Sequence, residues 1–317
     1  MCSLPQLSIL SDKTEVAQCL QDRESHCVPP SFLWPEQSRP LQRIIQSGLE
    51  SVTDKDDCFW IVRPSYPVMK NNNNNMSDSI QMCTAKICTD SELSSAAQNL
   101  LLEQRKAIPK CGQVLVQKYI NRPLLLHGYK FTLRFNVVLL RLEPEPRVYL
   151  SSVGDVHVCE SKYRHEKESH GDSETHFTCN STRGSPSQQF HRRISNDTPQ
   201  HTFQDLKVAF GMENWISIWE HSSRALKSLM PRVITNLKQT HSEASAFAHG
   251  SLGIPSMIGF DVLIDEEYKP WVLRVRHKIP ESISLATKAE KETMLNAWLL
   301  AEELLLVNLL SFSRINT

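Results

Sequence analysis

Two apolar runs near residue 260 constrain the fold of this chain more strongly than any other feature. IGFDVLID (258–265) and PWVLRVR (270–276) are rich in β-branched and aromatic side chains, and a short polar segment separates them. Runs of this length and composition predict two strands joined in a hairpin. Because side chains alternate along a strand, Arg274 and Arg276 share one face. The predicted sheet therefore carries two permanent cations side by side.

Further runs predict strands earlier in the chain. CFWIVRP (58–64) and QVLVQKYI (113–120) are typical of short buried strands, and KFTLRFNVVLLRL (130–142) alternates over a greater length. A proline-rich turn and RVYLSSVG follow it, which predicts a second hairpin. Helical spacing predicts helices from about residue 39, over 215–237, where Pro231 is expected to kink or split the helix, and over about 284–312. The fold class is therefore predicted to be α+β with a mainly antiparallel sheet.

Polar segments suggest how the chain is divided. Residues 1–27 are weakly patterned and are predicted to form a polar N-terminal arm. Residues 28–123 form the next predicted part, and 65–95, with five consecutive Asn, are expected to be a disordered loop within it. Residues 124–317 form the last part, in which 160–202 are predicted to be a polar loop insertion.

Composition excludes several classes of partner. Lys and Arg together number 35, as do Asp and Glu, so no global charge favours nucleic acid. The longest apolar run, AWLLAEELLLVNLL, is too short to span a bilayer and is interrupted by Glu302 and Glu303, so no membrane partner is expected. The nine cysteines lack zinc spacing and no secretory signal pattern is visible, which predicts reduced thiols in a cytoplasmic protein.

Four stretches, taken in order, resemble the tubulin–tyrosine ligase-like family. They are SFLWP with FWIVRP, then QKYINRPLLLHGYKFTLRFNVVL with RVYLSSVG, then THFTCNS, and finally IGFDVLIDEEYKPWVLRV, together spanning roughly residues 29 to 310. The resemblance implies an ATP-grasp-like fold in both main parts of the chain. It also implies an ATP-dependent ligase that adds amino acids, often glutamate, to tubulin, with ATP and Mg²⁺ as cofactors. Tubulin or microtubules would be the partner, and the cytoskeleton, a cilium or a basal body the location.

The resemblance also assigns the nucleotide site. Lys130 and Arg134, in KFTLR, match the basic pair that meets the phosphates, and they are the candidate catalytic residues. Such cations stabilise the charge that develops on a transferred phosphoryl group. The QKYI segment matches the part that frames the adenine, Arg63 stands where the family has Lys, and Thr178 matches the Thr of the family's HLTN motif. The candidate cofactor-binding residues are Arg63, Gln117, Lys118, Tyr119, Ile120, Lys130 and Thr178.

The metal site departs from the family pattern. Asp261 in GFD matches one magnesium ligand, but the family's LEVN reads LRVR here, so Arg274 and Arg276 occupy the other ligand positions. Magnesium requires oxygen ligands, and a guanidinium group offers none. A like charge at about 4 Å costs roughly 4 kcal/mol at an effective dielectric constant of about 20. We therefore expect Mg²⁺ binding to be impaired and Asp261 to pair with Arg274 or Arg276.

Two further departures concern the phosphates. Thr132 replaces the acid of the family's KFDLR motif, and no glycine lies between Gly48 and Gly112, where the family has a glycine-rich loop. Three hypotheses follow. The chain is a catalytically impaired relative that binds tubulin or another acidic protein through the old active-site cleft, an active glutamate ligase with a divergent metal site in which arginine replaces part of the metal's charge, or a truncated product without function.

Overall fold

Helices and antiparallel strands make up the described part of the chain, as predicted. The computed structural model describes residues 17, 19–20, 26–51, 58–64, 85–107, 109, 111–142, 145–164, 176, 201–244, 256–278, 291–294, 296 and 312–315. Within these ranges the strands form two sheets. The predicted α+β class is thus confirmed.

The first sheet has four antiparallel strands in the order β1-β4-β2-β3. Its core face carries Trp60, Val62, Val114 and Val116, which pack in one cluster with Leu100 of a flanking helix. The Trp60 indole Nε1 donates a hydrogen bond to Asp90 Oδ1 at 2.6 Å. The elements are β1 (Ser31–Trp34), α1 (Ser38–Ser51), β2 (Phe59–Pro64), β3 (Lys86–Thr89), α2 (Leu93–Ala107) and β4 (Val114–Lys118).

The second sheet has seven strands, of which five follow the order β10-β9-β6-β7-β11, while β5 pairs with β6 and β8 with β7. Both predicted hairpins are present as neighbouring strands, β6 with β7 and β9 with β10. The residues 312–315, placed by the sequence pattern at the end of a helix and beyond it, form a strand instead. The strands are β5 (Leu125–Leu126), β6 (Tyr129–Arg141), β7 (Arg147–Lys162), β8 (His201–Thr202), β9 (Ser256–Ile264), β10 (Pro270–Lys278) and β11 (Phe312–Ile315).

One face of this second sheet packs on two helices, α3 (Phe203–Phe210) and α4 (Met212–Ala244). The ring of Phe135 on β6 lies 4.9 Å from the ring of Phe203 and 5.6 Å from that of Trp219. Pro231 lies inside α4, which continues past it, so the expected split is wrong. The helix keeps its register because the side chains on either side of Pro231, Met230 and Val233, are buried in the same core.

The chain forms two compact units. Unit A comprises residues 1–28, 123–158 and 200–317, and unit B comprises 29–122 and 159–199. The sequence pattern placed 160–202 with the C-terminal part, whereas Tyr163 and His176 pack on Tyr119 within unit B. Likewise, Leu20 of the predicted polar arm is only 3% exposed and belongs to the core of unit A.

The loop expected over residues 65–95 does not extend over the described end of that range. Its described end, from residue 85, contains β3, which pairs with β2, and the start of α2. Thr89 is bonded to the first residues of this turn, since its backbone N–H and its hydroxyl both donate to Glu92 Oε2. That local bonding explains why a polar TDSE segment starts a helix rather than remaining a loop. Residues 65–84 lie outside the described part.

Among the described helices, none is both long enough and apolar enough to cross a membrane.

Candidate nucleotide and metal site

The second face of β6 is polar and buried. Lys130, Thr132 and Arg134 alternate along it, as the sequence pattern predicts, and they are only 4%, 4% and 2% exposed. Two cations so far removed from water require anionic or hydrogen-bonding partners. Asn136 continues the row and is fully buried, and its side-chain Nδ2 lies 3.5 Å from Thr293 Oγ1. Within the described residues its Oδ1 has no hydrogen-bond partner.

Asp261 supplies the partner of Arg134. The strands β6 and β9 pair so that these two residues lie opposite each other. Arg134 Nε donates to Asp261 Oδ1 at 2.8 Å, and the two side chains are 3% and 10% exposed. A buried, hydrogen-bonded pair of this kind is held tightly, because removing either partner would leave an uncompensated charge. Arg134, predicted for the phosphates, and Asp261, predicted for the metal, are therefore bonded to each other.

Arg274 lies opposite Asp261 on the other neighbouring strand. A β-bulge between Val272 and Arg274 makes this possible, because Val272 pairs with Val262 while Arg274 pairs with the adjacent Asp261. Among the described side chains Asp261 is bonded to Arg134, which the sequence pattern did not propose as its partner. Its pairing with Arg274 or Arg276 stays a prediction. Arg274 is partly exposed. Arg276 pairs through its backbone with Gly259, and its side chain lies outside the described part.

In unit B, the residues predicted to frame a base lie on and just after β4. Gln117 is 4% exposed; its Nε2 donates to Ser31 Oγ at 3.0 Å, while its Oε1 has no hydrogen-bond partner among the described residues. Register and alternation place Arg63 on the same face as Gln117, since Ile61 pairs with Gln117 and Arg63 with Leu115. Lys118 is exposed at the end of the strand, and Ile120 follows it, partly buried.

Tyr119 points into a cluster of ring side chains. Its hydroxyl lies 2.8 Å from Nδ1 of His176, which is 2% exposed. The His176 ring meets the rings of Tyr119 and Tyr163 edge-on, at centroid distances of 5.8 and 5.5 Å. The Tyr163 hydroxyl donates to the backbone oxygen of Asn121 at 2.6 Å. We call Tyr119, Tyr163 and His176 the aromatic cluster.

Burial controls the protonation of its two phenols. Removal from water raises the pKa of Tyr119 well above its ordinary value, and the nearby Tyr163 hydroxyl raises it further. Burial also raises the pKa of Tyr163, although its hydrogen bond with Tyr119 opposes the shift. Both hydroxyl groups are therefore neutral donors over the physiological range.

Comparison with known proteins identifies the family of this chain. The model of the tubulin-tyrosine ligase family matches residues 6–292, which is most of the chain. The chain belongs to the tubulin-tyrosine ligase family. The mouse tubulin monoglutamylase TTLL4 is 28% identical over 267 residues, which cover 80% of this chain and 18% of that relative. The zebrafish tubulin polyglutamylase ttll6 is 26% identical over 216 residues, covering 66% and 26%.

The human tubulin monoglutamylase TTLL4 is also similar, at 28% identity over 173 residues, or 53% of this chain and 14% of the relative. The chain thus spans only about a quarter, or less, of the length of these three relatives. The family resemblance carried by the motifs is confirmed.

ATP and Mg²⁺ are the cofactors that the tubulin-tyrosine ligase family suggests, and the residues present fit the two differently. The buried, unpartnered Oε1 of Gln117 is an acceptor of the kind that an exocyclic amino group of a base requires, and Phe59, Ile61 and Tyr119 form an apolar cluster on the same sheet. The metal position does not fit. Its one retained carboxylate, Asp261, is bonded to Arg134, and Arg274 lies opposite it where an oxygen ligand is expected.

Two parts of the predicted site lie outside the described residues, namely Thr178 and the segment that replaces the glycine-rich loop. Motif matching named Tyr119 but missed Tyr163 and His176, the other two members of the aromatic cluster. His176 stands two residues before Thr178 in the HFTCNS motif, so the motif itself carried the signal. Tyr163 had no such signal, because it follows the end of β7 in a segment of ordinary polar composition.

Proposed function

We propose that this member of the tubulin-tyrosine ligase family has impaired ligase chemistry and binds tubulin or another acidic protein partner through the cationic face of its second sheet. We call the face that carries Lys130, Arg134 and Arg274 the cationic face. The observation that supports the proposal is the row Arg134, Asp261 and Arg274 across three adjacent strands. Two cations flank the single carboxylate, so the local charge is positive where a metal-binding site must be negative. The ligase reaction of the relatives is the chemistry that this reversal weakens.

The magnitude of this charge effect supports the proposal. A divalent cation about 4 Å from each of two guanidinium groups would meet a repulsion of roughly 8 kcal/mol per group at an effective dielectric constant of about 20. Asp261 would also have to leave its 2.8 Å bond with Arg134 in order to coordinate the ion. Nucleotide binding does not depend on these residues alone, since Gln117 and Arg63 lie on a face of the other sheet.

The partner is inferred from the relatives and from accessibility. The similar proteins are tubulin mono- and polyglutamylases, which act on tubulin. Lys130 and Arg134 are buried, whereas Arg274 is partly exposed and Lys269, in the turn before the same strand, is also partly exposed. An acidic chain segment would therefore contact Arg274 before the buried pair. We place the protein in the cytoplasm, at microtubule-based structures.

The test is a comparison of the unmodified protein with the double variant Arg274→Glu/Arg276→Asn, which restores the family's LEVN pattern. We expect ATP to bind the unmodified protein with an affinity that Mg²⁺ changes by less than about twofold in calorimetry. In the double variant, Mg²⁺ should strengthen ATP binding by about tenfold or more, because two oxygen ligands replace two cations. Glutamate incorporation into tubulin should be undetectable for the unmodified protein.

Robust Mg·ATP-dependent glutamate ligation by the unmodified protein would overturn the hypothesis that its ligase chemistry is impaired. It would establish an active ligase in which arginine replaces part of the metal's charge. Partner binding is tested separately by co-sedimentation with microtubules. Arg274→Glu should reduce co-sedimentation, while Lys227→Glu, an exposed change on α4, should not. Equal binding by all three proteins would remove the cationic face as the binding surface.

A further inference from the structure

A separate cavity lies within unit A, bounded by the segment before β1, by α4 and by the β9–β10 turn. Its volume is about 460 Å³, within the range of small-molecule sites. All of its lining residues belong to unit A, and none belongs to the predicted nucleotide or metal site. The cavity is therefore a candidate binding site in its own right.

The cavity wall is cationic. Arg224 from α4 and Lys269 from the turn contribute permanent positive charges, and Glu267 contributes the one carboxylate. His26 and His221 add two imidazole groups. With neutral imidazoles the wall carries a net charge of +1, and protonation of both would raise it to +3. That interval includes +2, the charge that would balance a phosphate monoester, since such a ligand carries a charge close to −2 at pH 7.

The cavity floor is apolar. Ala225 and Pro270 are buried, and Tyr268 and Cys27 line the cavity beside them. A ligand with only an ionic head would leave this surface in contact with water, whereas an organic body attached to the head would cover it. In the described part of the chain, no group of three or more His, Cys, Asp and Glu side chains is placed to hold a metal ion. His26, Cys27 and His221 therefore do not form a zinc site.

The turn that presents the lining residues is held in place by Asp265. Its Oδ1 accepts the backbone N–H groups of Glu267 and Lys269, at 3.0 and 2.9 Å. Its Oδ2 accepts the indole N–H of Trp271 at 2.8 Å, and the Lys269 ammonium lies 4.0 Å from the centre of that indole ring. The cation is thus fixed at the edge of the cavity before any ligand arrives, which lowers the entropy cost of binding.

Two details of the wall point the same way. Tyr268 has a positive φ of 61°, a backbone conformation that is uncommon for a side chain of this size and that concentrates at functional sites. Nδ1 of His221 lies 3.3 Å from the Tyr268 backbone oxygen. Because a carbonyl only accepts, this bond requires the proton on Nδ1 and leaves Nε2 free to accept from, or when protonated to donate to, a bound group.

We propose that this cavity is a binding site for a small phosphate monoester with an apolar or aromatic body. Arg224 and Lys269 bind the phosphate oxygens, His221 and His26 complete the polar wall, and the body lies on Ala225, Pro270 and the Tyr268 ring. Glu267 disfavours a second anionic group and so selects for a single phosphate. The site is separate from the row Arg134, Asp261 and Arg274, none of which lines the cavity.

Phenyl phosphate is a suitable probe, with inorganic phosphate, phenol and benzoate as comparison ligands, all measured by calorimetry in a phosphate-free buffer. We expect phenyl phosphate to bind at least tenfold more tightly than inorganic phosphate or phenol, since it alone satisfies both wall and floor. Benzoate binding as tight as that of phenyl phosphate would overturn the phosphate assignment in favour of a carboxylate. No binding of any of the four would overturn the site.

Variants locate the binding. Arg224→Gln and Lys269→Gln should each weaken phenyl phosphate about tenfold to a hundredfold, the value expected for one charge-assisted hydrogen bond. Lys227→Gln, an exposed lysine one turn along α4 that does not line the cavity, is the matched control and should change the affinity less than twofold. Ser228→Trp, which fills the rim, should abolish binding. Equal loss in the control would mean that only net charge matters and would overturn the proposal.

Cys27 provides a second readout that reports position. Its thiol lines the cavity, and burial raises its pKa, so alkylation is followed at pH 8.5 by mass spectrometry. Phenyl phosphate should slow the alkylation of Cys27 at least fivefold. Cys58, a partly buried thiol of unit B, serves as the internal control and should react at an unchanged rate. Protection of both thiols, or of neither, would contradict binding in this cavity.

Discussion

The two units bury their polar side chains in different ways. In unit A, Arg134 and Asp261 are withdrawn from water as a charged pair joined at 2.8 Å. In unit B, the aromatic cluster buries two phenols and an imidazole, and its short contact, 2.8 Å from the Tyr119 hydroxyl to His176 Nδ1, involves a phenol that burial keeps neutral. Each cluster includes residues that the family pattern assigns to nucleotide or metal chemistry.

Because of this difference, the two clusters should lose different amounts of stability when one member is replaced. A charge left alone in a buried site keeps its full desolvation penalty, whereas a neutral group left alone loses about one hydrogen bond. Replacing one member of the charged pair should therefore lower the free energy of unfolding strongly, whereas replacing both members should lower it less. Replacing one member of the aromatic cluster should lower it by a smaller amount, and the stability of this cluster should depend on pH only where a phenol ionises.

The largest effect is expected for Asp261→Asn. Asparagine retains an acceptor for Arg134 Nε but removes the charge, so the free energy of unfolding should fall by about 3 kcal/mol, the lower end of the range for a broken buried pair. Urea denaturation measures it. Replacing both partners, Arg134→Leu with Asp261→Leu, should recover most of the loss, because a paired apolar replacement removes both charges of the pair together. A double variant less stable than the single one would contradict this account.

Much of the framework that holds these clusters could be predicted from the sequence. The β-branched runs identified strands β2, β4, β6, β9 and β10, because side-chain alternation is a local property. The same alternation placed Lys130 and Arg134 on one face, and both are buried there together. Family motifs then directed attention to Asp261, although they did not identify its partner.

The remainder depends on contacts between residues that are distant in the sequence. Arg134 and Asp261 are 127 positions apart, and their pairing follows from the register of β6 with β9. The bulge before Arg274 shifts that strand by one residue, and no composition signal marks it. Pro231 was expected to kink or split α4, and the helix is not split there because its packing on the sheet outweighs the local penalty.

The second largest effect is a loss of stability at alkaline pH that the aromatic cluster causes. Burial raises the pKa of Tyr119 above its ordinary value of 10, so the unfolded chain releases the phenol proton first. The stabilising contribution is therefore complete below pH 10 and is lost as the pH rises above it, at up to about 1.4 kcal/mol per pH unit for one group. Urea denaturation at pH 9.5 and 11 should show a smaller fall for Tyr119→Phe than for the unmodified protein. Parallel falls would rule out Tyr119 as the source.

A smaller effect is expected for the same variant at pH 7. Tyr119→Phe removes the hydroxyl that lies 2.8 Å from His176 Nδ1 and keeps the ring. The unfolding free energy should fall by about 1 kcal/mol, the net value of one neutral hydrogen bond. Tyr129→Phe, a partly buried tyrosine on β6, is the control and should have less effect. A loss comparable to that of Asp261→Asn would erase the distinction between the charged and the neutral cluster.

The smallest effect on stability is expected for Arg274→Gln. This variant compares an exposed and a buried arginine that lie opposite the same carboxylate. Arg274 lies opposite the same Asp261 as Arg134 does, but its side chain is partly exposed, whereas that of Arg134 is almost fully buried. Water therefore solvates the Arg274 charge and screens its interaction with Asp261, so the substitution should change the unfolding free energy by no more than about 0.5 kcal/mol. Arg134→Gln should cost several times more, because it removes one charge of a buried pair that is joined at 2.8 Å. If both glutamine variants lost the same stability, Asp261 would be shared equally between the two arginines, and the buried pair would no longer be the unit that breaks. If Arg274→Gln instead stabilised the fold, the two arginines would be repelling each other across Asp261. The gain in unfolding free energy would then support the excess positive charge inferred at the metal position.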